Sequence, residues 1–363
     1  MGNLQLITGY AGSGKTTRIL ERIVNTLTKE PDRRIILLVP EQASYNYEYQ
    51  LTIHPAIGGI LSVQVLSFQR LAWTVLQQTG GAAQTVLSDL GKLLILRQEI
   101  LRADSDLAFL KGSANKPGYL QLLAEAIAEF KQYGYSPEDL AENIKANPSD
   151  GALLDLKLSD LQRLYASYSQ RLTEDHIDSE DMMKLLLRKL PQWQELRQTD
   201  IYIDSFDSFT PQEMAVVEKL IALAPSVTVA LTLPVGASKT SFLQKQIFAN
   251  TIRTADQLKL AIQQAEGTLL EDEVLLGSYR YQAHPDLTYL VKQYHTLLTK
   301  PYPQVPAALH LIEAQNLTAE VEYTAREIRR LCREEGYHYS DIAVFMRDLT
   351  DYETLLQNTF DDL

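Results

Sequence analysis

Residues Gly9-Tyr10-Ala11-Gly12-Ser13-Gly14-Lys15-Thr16 satisfy the pattern G-x-x-x-x-G-K-[ST] at every fixed position. This motif constrains a fold tightly, because it works only where a buried strand runs into a loop and the loop into a helix. Both flanks fit. Leu4-Gln5-Leu6-Ile7-Thr8 is a short apolar run suited to a buried strand, and Thr17 to Val24 carries apolar residues at helical spacing.

The residue types match the chemistry of a phosphate-binding loop. Gly9, Gly12 and Gly14, with Ser13 between the last two, let backbone N–H groups turn inward around phosphate oxygens. The helix that starts near Lys15 aims the positive end of its dipole at the same anions, with Thr17 in its first turn. Lys15 is expected to reach the β- and γ-phosphates of ATP, and the Thr16 hydroxyl to take one site on Mg²⁺. A Gly-rich strand–helix turn without a ligand is the plain alternative.

A chain of 363 residues is long enough for two or three domains. Hydrophobic content of 45% and charged content of 22% are those of an ordinary globular protein. No run approaches a membrane-spanning length, and the first residues do not form a signal peptide, so a cytoplasmic location without membrane contact is expected. The single cysteine, Cys332, excludes an internal disulfide or a cysteine-built metal cluster. The net charge of −12 argues against coating nucleic acid over a broad surface, but leaves room for a local groove.

Residues 3–79 read as β-α-β-β-α, with strands at Arg34–Val39 and Val63–Phe68. Residues 81–198 read as a mostly helical insertion, with helices at Leu87–Arg102, Tyr119–Tyr133, Leu153–Leu172 and Asp181–Leu190, and loops at 112–118 and 147–151. The α/β pattern resumes at 199–275: a strand at Ile201–Asp204, a helix from Pro211 with Thr210 as N-cap, a strand at Val227–Leu233, and one helix from Ser241 to Ala265. Residues 276–363 read as the beginning of a second α/β unit, with strands at Leu309–Glu313 and Asp341–Met346, and helices at Thr318–Glu335 and Asp351–Thr359. The expected fold is thus α/β: a P-loop domain with a parallel sheet made of 1–80 and 199–275, a helical insertion, and the start of a second α/β domain.

Asp204 ends a strand, where P-loop ATPases hold Mg²⁺; capping of a turn is the plain alternative. Ser205 follows it, and a serine hydroxyl is no base near neutral pH without activation. Nucleotide binding is therefore better supported than fast hydrolysis. Phe68, Arg70 and Trp73 sit where the third strand gives way to a helix. Aromatic rings there can stack on single-strand bases while Arg contacts a phosphate or a base edge. The same rings can equally be core residues. Gln42 and Ser44 occupy the corresponding place after the second strand, and either donate to nucleic acid or cap the next helix. Phe209 joins this rim if the sheet is parallel, because ligands gather at the carboxyl ends of strands. Arg280 is a candidate to reach the γ-phosphate from the far domain, or else a solvated cation.

As a set, these stretches resemble the AddB/RexB family. They are Gly9–Thr16; Val39-Pro40-Glu41-Gln42; Val65 to Trp73; Ile203-Asp204-Ser205-Phe206 with Phe209-Thr210-Pro211-Gln212-Glu213; and Glu334-Glu335-Gly336-Tyr337 running into Asp341–Val344. The resemblance spans the chain in order. It implies a RecA-like, superfamily-1 helicase-like first domain and the N-terminal portion of the B subunit of an ATP-dependent helicase/deoxyribonuclease. That subunit forms a heterodimer with an A subunit, acts on single strands and duplex ends of DNA in double-strand-break repair, and is expected to scan for Chi with a weak or inactive motor. The matching positions imply that Gln42, Phe68, Arg70 and Trp73 face DNA, with Ser44 and Phe209 as looser matches. The alternatives are an active DNA translocase and, third, a P-loop kinase of a small molecule.

Overall fold

The computed structural model describes residues 2–55, 63–81, 85–113, 116, 118–146, 152–172, 176–234, 242–294, 296 and 300–361. The chain forms two units, Met1–Ala283 with Leu290–Thr299, and His284–Tyr289 with Lys300–Leu363.

The first unit begins with strand β1 (Asn3–Gly9), the Gly-rich loop, and helix α1 (Lys15–Lys29). Strand β2 (Arg34–Leu38) leads through a 3₁₀ turn into helix α2 (Ser44–Thr52). The sequence pattern does not resolve α2, whose apolar residues lack a clear helical stripe. Strand β3 (Val63–Leu66) and helix α3 (Phe68–Thr79) follow, with the Ser67 hydroxyl accepting from Arg70 N–H as the N-cap. The inserted stretch contributes strand β4 (Thr85–Val86), helices α4 (Asp89–Ala103), α5 (Tyr119–Gln132), α6 (Pro137–Ala146) and α7 (Ala152–Arg171), strand β5 (His176–Ile177) and helix α8 (Ser179–Lys189). It is helical as the periodicity predicts, except that β4 and β5 pair in parallel as a two-stranded ribbon. The loop expected at 147–151 lies outside the described residues.

Strand β6 (Thr199–Ile203) is followed by helix α9 (Pro211–Leu223). Thr210 and Glu213 form a reciprocal capping box with Pro211 at the first helical position. Strand β7 (Ser226–Thr232) follows. The single helix expected from Ser241, itself outside the described residues, is two: α10 (Phe242–Ile247) and α11 (Ala249–Gln264). Two short strands, β8 (Thr268–Leu269) and β9 (Glu273–Leu275), add to the sheet beyond those read from the sequence.

The main sheet runs β3-β2-β6-β7-β1, with β8 and then β9 along the outer edge of β1, and every pair is parallel. Strands β1, β2, β6 and β7 are buried on both faces over most of their length, which explains their near-continuous apolar sequences. Leu4, Leu6, Ile36 and Leu38 point into a layer shared with α3, α8, α9 and α11. Ile7, Ile35, Leu37 and Tyr202 point the other way, onto α1 and α2. The insertion has its own core of Leu96, Ile100, Leu123, Ile127, Leu164, Tyr165 and Tyr168.

A buried charge cluster ties the insertion to the sheet domain. Lys131, 2% exposed at the end of α5, ion-pairs with the equally buried Asp178, the N-cap of α8, and with Asp181 at 2.7 Å. Its ammonium lies over the Tyr168 ring, and its carbonyl accepts from Gln212 Nε2 of α9 at 2.6 Å.

In the second unit, helix α12 (Pro285–Gln293), which extends into the first, is followed by α13 (Leu317–Glu334) and α14 (Glu353–Asp361). The strands expected at 309–313 and 341–346 do not form; both stretches lack ladder partners, and Leu311 and Phe345 are 99% and 92% exposed. Strand-like composition alone does not hold strands without further members of a sheet.

Candidate functional site

The carboxyl ends of β1, β6 and β7 open onto a cavity of about 490 Å³. Gly12, Gly14, Lys15, Thr16 and Thr17 line one wall; Asp204, Ser205, Phe206 and Asp207 line another, and Thr232, Tyr279 and Arg280 complete it. Parallel β1, β7, β6 and β2 place these ends together: Gly9 pairs with Thr232, and Ile203 with Leu38, so Asp204 emerges where its N–H still bonds the Leu38 carbonyl at 3.1 Å.

The loop owes its shape to two left-handed glycines, Gly12 at φ +74° and Gly14 at φ +93°, a region that disfavours side chains. The chain from 279 to 281 also lies on it. A Cβ on Gly12 would come within 2.8 Å of the Tyr281 ring and 3.1 Å of Arg280 Cβ. Gly9 and Ser13 do not line the cavity but sit behind it, where a Cβ on Gly9 would collide with Ser13 Oγ. Ser13 Oγ is buried and has no hydrogen-bond partner.

Lys15 Nζ donates to the carbonyls of Gly9 at 3.1 Å and Tyr10 at 2.9 Å. Burial pulls its ammonium below the ordinary lysine value; Asp204 opposes this, Arg280 adds to it, and Asp207 opposes it. Asp204 is buried; its Oδ2 accepts from Tyr47 O–H at 2.8 Å and its Oδ1 from Ser205 N–H at 2.8 Å. Tyr47 O also lies 2.8 Å from Ser205 Oγ and 3.4 Å from Thr16 Oγ1. Burial, and then the Asp204 charge, push its phenol well above the usual tyrosine range, so it is a donor and not a base at neutral pH.

Arg280 comes from the first unit, not from a far domain as the sequence suggests. Its backbone N–H donates to Gly12 O at 2.9 Å. The segment before it is fixed by β9, whose Glu273 pairs with Arg18 at 2.6 Å and with Arg22, both on α1. Tyr47, Tyr279 and Tyr281 are site residues that sequence reasoning does not select. Tyr279 and Tyr281 flank Arg280 in the sequence, which is a usable signal; nothing linear marks Tyr47, 157 residues from Asp204.

This donor set fits a polyphosphate carrying a hard cation. The N–H groups of the left-handed loop and the Lys15 ammonium can meet phosphate oxygens. Among the described residues no three His, Cys, Asp or Glu groups could hold a metal by themselves. Thr16 and Asp204 suit a Mg²⁺-like ion that takes its remaining oxygens from phosphate and water.

The second candidate surface is an open groove of about 530 Å³ along the edge strand β3, between α2 and α3. Arg70 and Trp73 line it together with Glu48, Thr52, Gln64 and Gln77. Arg70 pairs with Glu48 at 2.8 Å, and Trp73 is 36% exposed. Gln42 is exposed in the turn after β2. Three expected rim residues are elsewhere. Phe68 is a core residue, 6% exposed, in edge contact with Phe206 and Phe209 at 5.5 and 6.1 Å. As the first residue of α3, it turns inward because helix periodicity aligns it with buried Leu71, Ala72 and Val75. Phe209 is half-buried in that aromatic cluster. Ser44 is buried, with its hydroxyl bonded back to Pro40 O. The exposed aromatic pair on α2 is Tyr45 and Tyr49, stacked at 6.3 Å.

No helix among the described residues is long and apolar enough to cross a membrane. The family model described as ADDB, N-terminal matches residues 6–290. Curated relatives match over 99% of this chain, each named as the B subunit of an ATP-dependent helicase/deoxyribonuclease. The protein of Desulforudis audaxviator is 36% identical over 364 residues, that of Geobacillus kaustophilus 36% over 368, and that of Bacillus subtilis 34% over 363. In each case the match covers 31% of the relative's length, so the chain spans about a third of those proteins. With these relatives matched over 99% of the chain and the family model over residues 6–290, the chain belongs to the AddB/RexB family.

Proposed function

We propose that this chain is the ATP- and DNA-binding portion of a helicase–nuclease subunit that works with an A subunit in processing DNA double-strand breaks. Its first unit, in this reading, is a RecA-like, superfamily-1 helicase-like domain carrying a helical insertion at 81–198. The second unit, His284–Tyr289 with Lys300–Leu363, would be the beginning of a second RecA-like domain expected within 276–363. The observation that carries the reading is the convergence of Lys15, Thr16 and Asp204 on one cavity at the carboxyl edge of a parallel sheet whose neighbouring flank is an open groove.

When bound, Mg²⁺ with ATP supplies charge neutralisation across the phosphates. Thr16 and Asp204 would hold the ion. The loop N–H groups and Lys15 would hold the phosphates, with Lys15 exchanging its bonds to Gly9 O and Tyr10 O for phosphate oxygens. Arg280, fixed to the loop by its backbone, would face the same anion. The position after Asp204 holds Ser205 and not a carboxylate, with Asp207 further along the same wall, which supports a weak or inactive motor over an active translocase. Arg70, Trp73 and Gln42 would contact single-stranded DNA, read in the whole protein as Chi scanning. Phe68 would act behind them as packing.

The test is single-strand DNA binding by the chain, alone and with the A subunit. Arg70→Ala and Trp73→Ala should each weaken binding, Trp73→Ala by about 1–3 kcal/mol. Unchanged affinity in both would remove the groove from the reading.

A further inference from the structure

The hydroxyl of Tyr47 stands where three elements meet: α2, which carries it; the start of α1, with Thr16; and the end of β6, with Asp204 and Ser205. A phenol has one proton to give. The charged acceptor is Asp204 Oδ2 at 2.8 Å, and a charged acceptor makes the stronger bond. The Ser205 and Thr16 hydroxyls are then left to donate to the phenolic oxygen. The second carboxylate oxygen of Asp204 is also engaged, by Ser205 N–H at 2.8 Å. Ser205 holds φ at +66°, an unusual conformation for a residue with a side chain. Both oxygens of Asp204 are thus fixed in direction by the chain itself. The Tyr47 ring, 5% exposed, is in turn fixed by packing among the α1–α2 layer.

We propose that Tyr47 is a positioning residue for the divalent metal of the nucleotide site, acting through its hydrogen bond to Asp204. This rests on the nucleotide reading above. The groups that orient a metal-bound carboxylate commonly decide affinity for the ion by tenfold to a hundredfold, roughly. Tyr47 supplies that orientation from α2. The next residue of α2, Glu48, pairs with Arg70 on α3. One helix therefore touches the metal side with one residue and the groove with the next.

The experiment is a titration of the full chain with a fluorescent ATP analogue, first in EDTA and then at increasing Mg²⁺, with Mn²⁺ bound to the nucleotide complex followed by electron paramagnetic resonance. Tyr47→Phe keeps the ring and removes the hydroxyl. Its nucleotide affinity in EDTA should stay within about threefold of the native chain, which also reports an intact loop. Its Mg²⁺ midpoint should rise about tenfold to a hundredfold. In an Asp204→Asn background, Tyr47→Phe should shift the metal midpoint no further, because the two residues act through one bond. An unchanged Mg²⁺ midpoint in Tyr47→Phe, or an equal further shift in the Asp204→Asn background, overturns the proposal. A native chain that binds nucleotide with no dependence on Mg²⁺ overturns it while leaving the phosphate loop standing. A native chain that binds no nucleotide overturns both.

Discussion

Lys15→Met separates what the loop does from what holds it together. The ammonium donates to Gly9 O and Tyr10 O, yet neither carbonyl depends on it. Gly9 O also accepts from Leu233 N–H at 3.3 Å, and Tyr10 O from Ser13 N–H at 3.2 Å. Removing Nζ therefore orphans no buried acceptor, which is the usual source of a large penalty. Methionine keeps most of the aliphatic stem. The charge is itself unfavourably placed, since burial holds the lysine below its ordinary value. Stability of Lys15→Met should thus stay within about 1 kcal/mol of the native chain, or rise slightly, as at other sites where function opposes stability. Nucleotide binding should change far more. Two hydrogen bonds from a cation to phosphate are worth about 3 kcal/mol or more together, which is about a hundredfold in affinity. A fluorescent nucleotide titration and a thermal melt on the same sample measure both quantities. Retention of native affinity within threefold would place the triphosphate elsewhere. A loss of several kcal/mol in stability would show that the lysine braces the loop, contrary to the partner pattern above.

Further outcomes follow from the same geometry. Nucleotide affinity should depend on pH through Lys15: binding favours its charged form, so affinity is level at low pH and declines by up to about tenfold per pH unit once pH passes the lysine's lowered value, below 10.5. Lys15→Met should abolish that decline. Phe68→Ala should cost about 3–5 kcal/mol in chemical denaturation, as a core truncation, whereas Trp73→Ala should cost less than about 1 kcal/mol in stability and act on single-strand binding instead. Lys131→Met leaves Asp178 buried without its cation and should destabilise the chain by about 3–5 kcal/mol, with Asp178→Asn in the same chain recovering part of it.

Much of the sheet domain was legible because its signals are local and mutually consistent. A buried strand, a glycine loop and an amphipathic helix stand in fixed order at 3–29. The Thr210-Pro211-Gln212-Glu213 sequence announces a helix start that the structure builds as a full capping box. What sequence could not supply was direction. Phe68 and Trp73 are five residues apart on α3, yet one enters the core and the other meets solvent, a choice made by how α3 lies on β3. Tyr47 was silent because its partner is distant in sequence. β8 and β9 are too short to carry a period of their own; they exist because β1 offers them a ladder. The stretches at 309–313 and 341–346 are the reverse case, with strand composition and no ladder to join.

The outer margin of β1 carries a consequence for solubility. A seven-residue strand left bare there would present a row of amide donors and carbonyls on which another chain could template itself. β8 and β9 cover it as stubs of two and three residues, with Glu271 and Asp272 between them and Glu273 at the start of the second. A newcomer would find no straight run to copy, and would meet Glu273 and Asp272 already tied to Arg18, Arg22 and Lys259. Aggregation by growth of the sheet past this side is thereby discouraged.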